Sequence, residues 1–273
     1  MTRTLKLTLA YDGAAYVGWQ RQANGRSVQA CLESALDPFD VGPVTVVGAG
    51  RTDAGVHALG QVASVRLAHP IAPAGLLRAA NAALPEDIRV VAVEVVAHDF
   101  HARFSATAKT YRYRLLGGLV TSPFEGRYGW HISGPLDQEA MADAGRLLVG
   151  EHDFAAFQAA GSSVRTTTRT LFHVTVSPPV PGLWSGANGA GETVTTIDVR
   201  GTGFLRHMVR ILVGTLVEVG RGTRDRESVA RALRVATRDA AGQTAPPRGL
   251  FLVQVEYHRP ASETRRSGTA SNP

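Results

Sequence analysis

One cysteine, two lysines and 7% aromatic residues are all that 273 positions supply of those types. The single cysteine, Cys31, excludes a disulfide framework and a cysteine-built metal site. It falls at an apolar position of a predicted helix, where core packing is its expected role. No run of eighteen apolar residues occurs, so no segment reads as a membrane-spanning helix. The opening residues MTRTLKLTLAYDG pass directly into strand-like alternation, without the long apolar stretch of a secretory signal. Together these absences predict a globular cytoplasmic protein. Gly-Lys-Ser/Thr is also missing, which removes the phosphate loop of nucleotide hydrolases.

What is present is an ample apolar fraction, 44%, and a formal net charge of +6. Lys6 and Lys109 are the only lysines, so nearly every cation is an arginine. The planar guanidinium fork meets phosphate at two points and stacks on bases, which suits a polyanion partner. A general preference for arginine over lysine accounts for the same excess equally well.

Alternation of Leu5, Leu7 and Leu9 with polar residues predicts a first strand. A helix follows from Ser27, whose hydroxyl suits an N-cap and after which Val28, Cys31, Leu32, Ala35 and Leu36 recur at helical spacing. Strands are expected over 44–47, 61–67, 88–96, 168–177, 193–200 and 250–257, and helices over 73–84, 136–149, 204–219 and 225–236. The segment KTYRYRLL predicts a strand with Tyr111 and Tyr113 on one face and Arg112 and Arg114 on the other. SPPVPGLWSGANGAGE reads as a hairpin loop, and the tail 259–273 as disordered. The order strand-helix-strand-strand-helix-strand occurs up to Val96 and loosely again afterwards. It predicts two related α+β halves, 1–103 and 104–258, sharing a cleft.

Between two β-like runs lies VVGAGRTDAGVHALGQVASV. A dinucleotide site would place a third glycine where Asp53 stands, and would open a helix rather than a strand. An aspartic protease needs two copies of Asp-Thr/Ser-Gly, and the sequence holds neither Asp-Thr-Gly nor Asp-Ser-Gly. Asp53 therefore reads either as a turn residue or, with Arg51 two positions away, as half of a charged pair held rigidly in a short loop.

AGRTDAGVHALGQV closely resembles the signature of the TruA-type tRNA pseudouridine synthases. Four further blocks match the family in order: YDGAAYVGWQRQ, DFHARFSATAKTYRYRL, FLRHMVRILVGTLVEVG and RGLFLVQVEY. The resemblance runs from about Leu5 to Tyr257, leaving out the loop at 178–192 and the tail. It implies an α+β fold of two related halves, with mixed, largely antiparallel sheets flanking a central RNA-binding cleft. It also implies isomerisation of uridine to pseudouridine at positions 38, 39 and 40 of the tRNA anticodon arm, with neither metal nor cofactor. A homodimer, one tRNA contacting both subunits, is the implied assembly.

Carried over residue by residue, the resemblance makes Asp53 the catalytic nucleophile and sets Arg210 against it. Tyr111 becomes the residue that stacks on the target uracil, with a part in proton transfer, and Leu250 the opposite wall. Arg51 and His57 are to line the same cleft and meet the RNA backbone. Each has a plainer reading: Tyr111 and Leu250 as core residues, Arg210 as a surface arginine, His57 as a hydrogen-bonded structural histidine. Family members often carry two histidines where this chain has Arg206-His207, so no histidine role passes to position 206. His98 and His101 lack a third ligand at metal-binding spacing, which leaves them structural or RNA-facing. A non-catalytic tRNA-binding protein would need the arginines but not the carboxylate, and a metal-dependent RNA hydrolase lacks its acidic cluster here.

Overall fold

A computed structural model of the chain describes residues 2–161, 164–185 and 191–258. The tail 259–273 and the tip of the 178–192 loop lie outside these. The first part of the chain forms β1 (Arg3–Tyr11), α1 (Val28–Leu36), β2 (Val46–Gly48), β3 (His57–Leu67), α2 (Pro73–Ala83) and β4 (Ile88–Val96). There follow β5 (Ala106–Gly117), β6 (Trp130–Ile132), α3 (Gln138–Arg146), β7 (Gly150–Asp153), β8 (Thr168–Val176), β9 (Val180–Pro181), β10 (Thr193–Gly201), α4 (Met208–Gly220), α5 (Glu227–Val235) and β11 (Leu250–Tyr257). No helix among the described residues is long and apolar enough to cross a membrane.

The strands form one sheet in the order β4-β1-β3-β11-β5-β10-β8-β7, with β2, β6 and β9 beside β3, β5 and β10. Pairing is antiparallel except at β3–β11 and β5–β6. The α+β class and the largely antiparallel sheet are as the sequence predicts. β11, the last strand among the described residues, supplies the join: Phe251 and Leu252 pair with His57 and Ala58 on one side and with Arg112 and Tyr111 on the other. Leu252 is fully buried there.

Several elements begin where a local bond decides, rather than where periodicity does. Ser27 caps α1 as expected, accepting from the Ala30 amide at 3.2 Å. Cys31, predicted to pack in the core, sits half-buried at its edge, where Sγ meets Arg26 Nε at 3.2 Å. The amide of Val44 donates to Asp37 Oδ1, so β2 starts at Val46 and not at 44. β3 begins four residues earlier than predicted because β11 pairs with it at His57 and Ala58. α3 is shorter than predicted. Asp137 caps it by accepting from Ala140, and Gly150 adopts φ +110° at the turn into β7 rather than directly closing the helix. α4 starts at Met208 instead of 204, since His207 takes up left-handed backbone at φ 59°.

Because Leu252 fills the space where the two groups of strands meet, Leu252→Ala is expected to cost about 2–5 kcal/mol of stability. Urea unfolding tests this, the midpoint falling while the slope stays unchanged.

Candidate active site

The loop between β2 and β3 is fixed on every side. Ala49 N donates to Val62 O at 2.7 Å, Gln61 Nε2 donates to Gly50 O at 2.9 Å, and Val56 N closes a turn on Asp53 O at 3.1 Å. Thr52 is buried and shares a 2.8 Å hydrogen bond with the Tyr11 hydroxyl. From the YDGAAYVGWQ segment, Trp19 N donates to Thr52 O at 3.0 Å, and Gly18 bridges Asp53. Gly18 sits at φ +112°, and a Cβ there would come within 2.6 Å of Thr52 O, so the approach needs a glycine.

This scaffold leaves the Asp53 side chain about a third exposed, facing the start of α4. Arg210 Nη1 lies 3.5 Å and His207 Nε2 3.6 Å from Asp53 Oδ2. Arg210 is itself clamped, since its Nε donates to Ala245 O at 2.7 Å while Ala245 N donates to Arg210 O at 3.0 Å. Both groups come nearest to Oδ2, and neither carboxylate oxygen accepts a hydrogen bond among the described residues. Burial holds the His207 imidazole below its usual pKa, against the opposing pull of Asp53. It is therefore neutral at pH 7 and leaves the guanidinium as the one fixed positive charge on the carboxylate.

Tyr111 projects from β5 on the face shared with Tyr113, Leu250 and Leu252, as the register requires. Its ring stands edge-on to Phe204, centroids 5.1 Å apart. Burial first, then the neighbouring Tyr11 and Asp53, pushes its hydroxyl well above the usual phenol range, so it stays a proton donor at neutral pH. That hydroxyl makes no hydrogen bond among the described residues. The only fully buried side-chain polar atom there without a partner is His57 Nε2, so the Tyr111 hydroxyl keeps a path to solvent. Leu250 lies on the same face, opposite Tyr113 and nearly covered.

The family model described as tRNA pseudouridine synthase matches residues 8–105 and 144–258. The tRNA pseudouridine synthase A of Syntrophotalea carbinolica is 47% identical over 253 residues, covering 93% of this chain and 96% of that protein. That of Geobacter sulfurreducens is 45% identical, covering 93% of this chain and all of the other. The chain belongs to the tRNA pseudouridine synthase family. A remoter likeness is to a chain in the crystal structure of a Cbf5-Nop10-Gar1 complex, with TM-score 0.35 at 12% identity, covering 91% of this chain and 48% of that one.

Of the residues singled out in the sequence, the fold of this synthase-family chain brings Asp53, Arg210 and Tyr111 together, with Leu250 on the same face. Arg51 is exposed beside them and makes no side-chain hydrogen bond or ion pair among the described residues. His57 goes elsewhere. β3 carries one extra residue between Ala58 and Gln61 relative to β1, and this bulge, with Gly60 inside it, reverses the alternation. His57 consequently pairs with Phe251 on the face opposite Tyr111, stacked on its ring at 4.7 Å. At 1% exposure, with Nδ1 3.0 Å from both Gly13 N and Asp12 Oδ1, it is a structural histidine and not a cleft residue. His101 likewise caps local backbone, its Nδ1 accepting from the amides of Arg103 and Phe104. No metal-binding cluster of His, Cys, Asp or Glu occurs among the described residues.

His207 joins Asp53 and Arg210 as well. It precedes Arg210 by three positions, the spacing that puts two side chains on one helical edge, but its left-handed backbone is what aims the ring at Asp53. That conformation costs on the order of 1 kcal/mol for a non-glycine residue and marks a constrained position. Since the Asp53 carboxylate raises the His207 pKa, Asp53→Asn is expected to lower it further. NMR titration of the imidazole should show a midpoint below that of the unmodified protein, and an unchanged midpoint would place the two groups out of contact.

Proposed function

We propose that this protein isomerises uridine to pseudouridine in tRNA, at positions 38, 39 and 40 of the anticodon arm, with Asp53 as its nucleophile. The observation that carries this reading is the Asp53 carboxylate itself, in a chain of this family. Arg210 and His207 lie beside it, no hydrogen bond among the described residues occupies it, and it is near enough to the Tyr111 hydroxyl to raise that group's pKa.

The reaction breaks the bond between ribose and uracil N1, turns the base, and joins ribose to C5. The C5 proton departs to solvent and N1 gains one, so the product is an isomer and nothing is hydrolysed. An ionised carboxylate serves by attacking the sugar or the base, or by taking a ribose proton, and each route needs an anionic oxygen touching the nucleotide. The Asp53 carboxylate makes that contact. Arg210 keeps the negative charge localised and oriented, while Tyr111 offers a flat apolar face for an extruded uracil and an O–H at its rim. Leu250 closes the opposite side, and Arg51 at the loop surface meets the RNA backbone. Shape and phosphate contacts dominate recognition of an RNA stem, whose deep major groove side chains cannot read.

On this reading the halves 1–103 and 104–258 act as two walls of one cleft, with the loop carrying Asp53 on the first and Tyr111, Arg210 and Leu250 on the second. The enzyme works in the cytoplasm as a homodimer and uses no metal or cofactor.

Tritium release from tRNA transcripts labelled at uridine C5 tests the reaction. The unaltered protein is expected to release label with pseudouridine appearing at 38–40, and Asp53→Asn to bind the tRNA and release none. Equal binding with no release by either protein would make this a tRNA-binding protein instead. Arg210→Ala leaves the carboxylate without its fixed charge and is expected to lower kcat at least 100-fold, on the scale of removing one preorganised electrostatic contact. Single-turnover rates check it.

A further inference from the structure

Every cation on the strands but one has a partner among the described residues: Arg3, Arg66, Arg89 and Arg169 donate to backbone carbonyls, and four more meet carboxylates. Lys6 pairs with Glu94, Arg112 with Asp198, Arg114 with Glu125 and Arg200 with Glu256. The start of β5 differs. Lys109, the other of the two lysines, lies two residues before Tyr111 and on the same face, opposite Gly201 of β10 and Val255 of β11. Its Nζ reaches the loop that carries Asp53, lying 3.7 Å from where a Cβ on Gly50 would be. Neither it nor the Arg103 guanidinium makes a hydrogen bond or ion pair among the described residues, and Arg103 lies over the exposed ring of Phe104 at 5.5 Å.

The charged groups around Lys109 offer it no relief. Arg103, from the segment leading into β5, repels it. Glu256, beside Val255, turns to the other face and is taken by Arg200. Asp53, three residues beyond Gly50, is committed to Arg210 and His207. Burial, helped by Arg103, accordingly pushes the Lys109 pKa down to about 8. A half-buried ammonium beside a second cation, without an acid, is unfavourable in the free protein and is relieved by an anionic ligand.

We propose that Lys109, with Arg103 beside it, binds the phosphodiester adjoining the target nucleotide and so sets how far the RNA strand advances past Asp53. This rests on the pseudouridine synthase reading and adds a phosphate subsite to it. Lys109 acts by positioning: it touches the strand and not the reacting atoms.

The test measures affinity for an anticodon-arm RNA against pH and salt in the unaltered protein, Lys109→Gln and Lys109→Arg. Loss of the ammonium as pH rises through about 8 is expected to weaken binding by the unaltered protein between about pH 7 and about pH 9. Lys109→Arg, which stays charged, should bind tightly without that pH dependence. Lys109→Gln should bind roughly tenfold more weakly, with a salt slope shallower by about one and KM raised more than kcat lowered. Unchanged affinity and salt slope in Lys109→Gln would overturn the proposal. Should that variant fail to fold, the same pH response in the unaltered protein and in Lys109→Arg would overturn it. Tritium release by the unaltered protein, run alongside, separates the outcomes: its absence removes the synthase reading, while its presence with a neutral Lys109→Gln removes only the subsite.

Discussion

The contact between Arg210 and Asp53 is the interaction around which the molecule is arranged. A carboxylate in a turn is ordinary chemistry; one held beside a fixed guanidinium, with no hydrogen bond to occupy it among the described residues, is not. The two residues come from opposite ends of the chain, one from the loop after β2 and the other from the first turn of α4. Neither is free to drift. Asp53 is tied through Thr52 to Tyr11 and Trp19, and Arg210 through its own Nε and carbonyl to Ala245. Rigidity on both sides is what lets a 3.5 Å separation persist without a tight bidentate pair that would consume the carboxylate.

That arrangement follows from where β11 lies. By pairing in parallel with β3 and antiparallel with β5, the last strand fastens the Asp53 loop to the strand that carries Tyr111. The same pairing determines which residues share the face of Tyr111. Leu250 and Leu252 do, while Phe251 turns away and takes His57 with it. The polar ladder of Arg112 with Asp198 and Arg200 with Glu256 occupies that other face, so the two sides of the sheet are chemically distinct.

Local signals made much of this legible in the sequence. β4 falls on the residues of the expected β-like run, and Ser27 caps α1 as its hydroxyl allows. Asp53, Arg210 and Tyr111 are recognised from ordered family blocks and meet in space. What failed was what depends on partners distant in the chain. The early start of β3 needs β11, and the misplacement of His57 needs a bulge that no local pattern announces. The start of α4 differs from the periodicity for another reason: a histidine rarely adopts left-handed backbone, and here the aim of its ring at Asp53 coincides with that strain.

The most direct test of the central claim is the structure of the protein bound to an anticodon-arm RNA. The arrangement described here requires the target uridine to be out of its stack, its base against Tyr111 and its ribose within about 3.5 Å of the Asp53 carboxylate. RNA lying instead on the opposite face of the sheet, over Arg112 and Arg200, with Asp53 untouched, would contradict it.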